Sequence, residues 1–157
     1  MTLAIYLNDH LAGSAAGVAL AKRITRVHPQ LRQLAVDFEQ DQRELIAVMR
    51  TLGVDLQRYK VVIGQIGEKL GRLKLNGRLL RRAPLSDVLE LEAMALVITG
   101  KRSVWRALRT LEDRRLDQAA LDRLLERADA QLEHVESMRL AAFPRAVRAS
   151  TPASATS

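Results

Sequence analysis

The sequence predicts an all-α protein, an antiparallel four-helix bundle with an additional helical crossover segment, about five helices in all. Three observations predict it. The composition is 48% hydrophobic but only 3% aromatic, dominated by Leu, Ala and Arg, which suit helices better than sheets. Runs alternating Val, Ile, Thr and aromatic residues, the usual mark of strands, are missing. Apolar residues recur instead at intervals of three and four, broken at a few Pro, Gly and Asn positions.

The first helix is expected from about Leu3 to Thr25, with Leu3, Leu7, Leu11, Val18 and Ala21 on one stripe that also takes in His10 and Ser14. It ends near His28-Pro29, because proline disfavours helical geometry in the residue before it. A second helix starts with Pro29 in its first turn and runs to about Leu52, burying Leu31, Ala35, Phe38, Leu45 and Met49, and Gly53 supplies its stop. Asp55 can cap a third helix, whose ridge of Ile63, Ile66, Leu70 and Leu73 lies beside Gly64, Gly67 and Gly71. Asn76-Gly77 ends it, and after Pro84 a fourth helix opens at Ser86 or Asp87 and continues to about Leu111. Asp117 caps the fifth, which reaches about Ala142 with Leu121, Leu124, Leu125, Ala128, Leu132 and Val135 inward. Residues 1–143 thus read as one helical domain, an ordinary size for a single core, and 144–157, rich in Ser, Thr, Ala and Pro, as a disordered tail.

With no cysteine, disulfides, thiolate metal sites and a cysteine nucleophile are excluded, and the chain reads as cytoplasmic. No segment looks able to cross a bilayer or serve as a signal peptide. No Gly-rich phosphate loop or serine-hydrolase elbow appears. The segment from Arg58 to Arg82 carries eight basic residues against one acid, Glu68, which is the whole of the formal net charge of +7. Lys69, Arg72, Lys74, Arg78, Arg81 and Arg82 are its candidate anion-binding residues, for nucleic acid, an acidic lipid surface or an acidic protein. A solvated basic face is the plainer reading, because aromatic stacking residues are scarce there, with Tyr59 alone nearby.

Polar residues on the apolar stripes are the other candidates: His10, Gln42, Glu92 and, at the edge of its stripe, Gln131. A buried polar group without a partner costs roughly 1–3 kcal/mol, so each is expected to find one. Local satisfaction is the simple account, with Glu92 reaching Arg102, Arg106 or His10. A shared interior site for a metal or a small ligand is the sharper one.

The helix order and the segment DFEQDQRELIAVMRTLG, residues 37–53, resemble the ferritin-like superfamily, whose bundles hold two metals between a lone Glu on two helices and Glu-x-x-His on two others. On that resemblance Asp41 and Glu44 stand where Glu and His belong, and Gln131-Leu132-Glu133-His134 matches the second motif with glutamine in place of the carboxylate. Asn8, Asp9 or His10, with Glu90 or Glu92, would supply the remaining ligands. The resemblance makes His10, Asp41, Glu92 and His134 the metal candidates, a degenerate set, so no cofactor is expected, with di-iron or di-manganese as the alternative. The expected role is that of a non-enzymatic structural or interaction protein, self-associating or binding a protein partner. The alternatives are an oxidoreductase or metal store with unusual ligands, and an accessory protein acting through the basic segment.

Overall fold

The computed structural model describes residues 2–56 and 85–150. They form four α-helices, α1 (Thr2–Ile24), α2 (Arg32–Thr51), α3 (Ser86–Arg109) and α4 (Gln118–Ser150), with a 3₁₀ turn at Pro29–Leu31 and no strand among the described residues. The all-α expectation holds at that level. The expected third helix, with its glycines and the six candidate anion-binding residues from Lys69 to Arg82, lies outside the described residues.

Helix ends follow from local chemistry. His28 is held extended ahead of Pro29, at φ −118° and ψ 79°, and Pro29 opens the 3₁₀ turn rather than α2 itself. Gly53 stops α2 as expected. At φ 71° it lies in the left-handed region, its N–H donates to the Arg50 carbonyl and that of Val54 to the Met49 carbonyl, so two end carbonyls of the helix are satisfied. Asp117 caps α4, accepting from the Ala120 N–H at 2.9 Å. Ser86 opens α3, one of the two starts expected, and Asp87 follows in its first turn. Leu85 holds the cap position without a side-chain bond, and Asp87 complements the helix dipole.

The last helix also departs from expectation. It does not stop before Pro144 but passes through it to Ser150. A proline forfeits one backbone bond and crowds the preceding turn, yet the helix continues beyond it. Ala146 is buried, beside a concavity that His28, Leu91 and Met138 also border. Residues 144–150 are therefore helix, not tail. At 1.5 Å per residue the 33 residues of α4 span about 50 Å against about 35 Å for α1.

Two apolar layers make the core. Ala21, Ile24, Leu31, Leu34, Phe38, Leu91, Met94, Ile98, Ala128 and Val135 form the upper one, near the α1–α2 turn. Leu7, Leu11, Leu45, Met49, Val104, Trp105, Leu108, Leu121 and Leu124 form the lower one. Each large side chain so buried contributes roughly 1.5–3 kcal/mol. The order in which each helix visits the layers fixes its direction: α1 and α4 run from lower to upper, α2 and α3 from upper to lower. Thus α2 and α3 are parallel, and the end of one and the start of the other lie at opposite ends of the molecule. Packing places α1 against α2 and α3, and α3 against α4. Surface ion pairs follow the same neighbours: Lys22 with Glu39, Arg23 with Glu90, and Arg109 with Asp122.

Gly17 marks a close approach. A Cβ there would stand 2.8 Å from the Val97 side chain and 3.0 Å from the Phe38 ring, so α1 meets α2 and α3 at this point only because the side chain is missing. No helix among the described residues is long and apolar enough to cross a membrane.

Candidate functional site

Between the two apolar layers lies a polar one. On α2, Asp41 falls between Phe38 and Leu45; on α3, Lys101 falls between Ile98 and Val104; on α4, Arg127 and Gln131 bracket Ala128. These side chains converge. The Lys101 ammonium donates to Asp41 Oδ2 at 2.6 Å and to Gln131 Oε1, and it sits 4.1 Å from the centre of the Phe38 ring. Arg127 donates to Asp41 Oδ1, and the Gln131 amide donates to Asp37 Oδ2 at 2.8 Å. Asp41 is 4% exposed, so its charge depends on these two cations. Burial pulls the Lys101 ammonium below the usual lysine range, the attraction of Asp41 opposing it.

A cavity of about 310 Å³ adjoins this layer between α1, α2 and α3, mostly apolar, with Phe38, Leu45, Val97, Val104 and Trp105 in its walls. His10 and Asp41 both line it. His10 is half-buried and packs edge-on against Tyr6 at 4.5 Å between ring centres, and burial holds its imidazole below the ordinary histidine value, partly countered by Asp9. Gln42, also on the wall, donates to Ser14 Oγ at 3.0 Å, and Ser14 in turn donates to the Leu11 carbonyl. The Trp105 indole N–H is buried without a hydrogen-bond partner among the described residues.

The metal candidates are thus divided. His10 and Asp41 reach one cavity, whereas Glu92 and His134 are exposed. Glu92 is therefore not the buried polar residue expected. Its turn of α3 buries Leu91, Met94 and Ala95 and points the carboxylate outward, and Arg102, its suggested partner, pairs with Asp129 instead. Among the described residues no three His, Asp or Glu side chains gather as a metal site would require. Gln131 and Gln42 do find side-chain partners, in Lys101 with Asp37 and in Ser14. Asn8, which the resemblance offered as a ligand position, is 8% exposed and donates to the Ala4 and Asp55 carbonyls, tying α1 to the chain after α2.

Lys101, Arg127 and Asp37 were not among the sequence candidates. Lys101 carried a signal: three residues after Ile98 and four before Trp105, it lies on the buried stripe of α3. Arg127 and Asp37 lie at the edges of theirs, where periodicity does not separate a paired charge from a solvated one. Comparison with family models, with curated proteins and with solved structures finds no match.

Proposed function

We propose that this chain is a non-enzymatic, ferritin-like helical bundle acting as a structural or interaction protein. The observation that carries the reading is the ion-paired layer. Where a ferritin-like bundle keeps carboxylates and imidazoles around its metals, this chain sets Asp41 with both oxygens engaged by Lys101 and Arg127. A divalent cation at Asp41 must displace one of these cations and then sit beside a buried positive charge. The parallel run of α2 and α3, which calls for one long crossover, supports the ferritin-like reading of the architecture.

The interaction role is supported by stripes of exposed apolar residues, Leu85 at the cap of α3 with Leu89 and Leu96 on it, and Leu140, Phe143 and Val147 on α4. The deciding experiment is metal content by mass spectrometry of untagged protein, before and after incubation with iron, manganese and zinc. Well under one metal per chain is expected. A content near the two metals of a di-iron bundle overturns the reading and returns His10 and Asp41 to chemistry.

A further inference from the structure

The central cavity carries one charge that nothing in the protein balances. Asp9 lies on α1 three residues after Tyr6 and four before Gly13, on the helix face that walls the cavity, and it is itself part of the lining. Its side chain is exposed and takes part in no ion pair or hydrogen bond among the described residues. The other charges of the region are committed. Asp37, Asp41, Lys101 and Arg127 cancel in number and are joined through Gln131 in the polar layer. His10, which feels the charge of Asp9, is held by burial below the ordinary histidine value, so its imidazole is uncharged at pH 7. A carboxylate therefore stands in solvent at the edge of a cavity whose depth is apolar, walled by Phe38, Leu45 and Trp105.

Access to that carboxylate from the cavity follows from the next turn of α1. Side chains on a helix tilt toward its N-terminus, so a side chain at position 13 would lean back over the turn that carries Asp9. Gly13 has none, and a Cβ built there would meet nothing within 4 Å. At about 310 Å³ the cavity is at the small end of ligand sites, room for one ring and a short chain.

We propose that the cavity between α1, α2 and α3 binds a compact hydrophobic amine, with its apolar body between the walls of α2 and α3 and its ammonium against the Asp9 carboxylate. A neutral guest of the same shape gains the apolar contacts alone, and an anionic one meets the charge of Asp9 as a repulsion. The inference goes beyond the non-enzymatic reading and involves no metal, so the two fail separately.

2-Phenylethylamine, protonated at pH 7, and 2-phenylethanol serve as probes, alike in shape but only the first charged. Followed through the Gly13 and Gly100 amide resonances in a nitrogen-15 correlation spectrum at low salt, the amine is expected to shift both saturably and to bind roughly fivefold more tightly than the alcohol, the upper range for an exposed ion pair. Asp9→Asn is expected to leave the affinity for the alcohol unchanged and to bring the amine down to it. Gly13→Leu, read through Gly100, is expected to keep or raise the melting temperature, since leucine is the better helix former, and to abolish the response to both probes. No saturable shift with the amine, equal affinity for the two probes in the wild type, a preference for the amine that survives in Asp9→Asn, or binding that survives in a folded Gly13→Leu chain overturns the proposal.

Discussion

Asp41 holds two cations in an interior that would otherwise reject all three charges. Asp41→Ala strands Lys101, whose side chain is 10% exposed, together with Arg127, and is expected to cost about 3–5 kcal/mol. Lys101→Met leaves Asp41 paired with Arg127 and fills its place with an apolar chain, so a smaller loss of about 1–2 kcal/mol is expected. Urea denaturation of the two variants measures the order; equal losses would mean that Asp41 is not the hub. His10 makes a prediction in pH. Its folded pKa lies below the unfolded value of 6.5, mainly through burial. The unfolded chain therefore takes up the proton first, so the contribution is complete above that value and is lost as pH falls through the folded pKa. Between about pH 7.5 and pH 5 the wild type should lose more stability than His10→Gln, as read from urea midpoints. Of the residues in this region, Gln42, Gln131 and His10 were legible as polar groups on or beside apolar stripes, Asp41 entered only through the ferritin-like resemblance, and the same stripe reading also picked Glu92, which is exposed. Which atoms they meet was not legible, since Arg127 is 86 positions from Asp41 along the chain.

At the scale of elements, the caps are where sequence and geometry agree most closely. Asp117→Ala removes the acceptor of the Ala120 N–H and should cost about 1 kcal/mol, and Gly53→Ala forces a Cβ into the left-handed region at about 1–2 kcal/mol. Thermal melts followed by circular dichroism test both, and no loss in either would remove that cap from the account of its helix. The turn between α3 and α4 is tied by Asp113, which accepts from the Arg115 backbone and guanidinium and is drawn down to about 2 by those bonds. Glu112, a non-glycine residue at φ 49°, shows how tightly this turn is drawn. Pro144 is the element-scale lesson in the other direction. A propensity rule ends the helix there, weighing one lost backbone bond and a local clash, yet the helix runs on to Ser150 with Ala146 buried beyond the proline.

For the whole molecule, direction matters more than helix count. Reading α1 up, α2 down, α3 down and α4 up brings residues near 14, 41, 101 and 131 to one level, and at the seam between the apolar layers Asp41, Lys101 and Gln131 meet while Gln42 bonds Ser14. Because the carboxylate at that seam is already charge-paired, iron(II), manganese(II) or zinc at millimolar excess over chain is expected to leave the melting temperature unchanged. A ligand of the folded state at a hundred times its Kd would add about 2.7 kcal/mol and raise it by several degrees, the outcome that would restore a metal site.

By itself the sequence determined the class of secondary structure, most helix boundaries and caps, and much of the buried apolar set. Those properties depend on neighbours three and four residues away, which a linear pattern records. The tertiary structure alone decided which polar residues face one another, that Glu92 and His134 point outward, that Lys101 and Arg127 close on Asp41, and that Gly13 and Gly100 border one cavity. Such facts depend on the rotation and relative direction of whole helices. Those are fixed by packing summed over the entire core, and no local stretch of sequence encodes them.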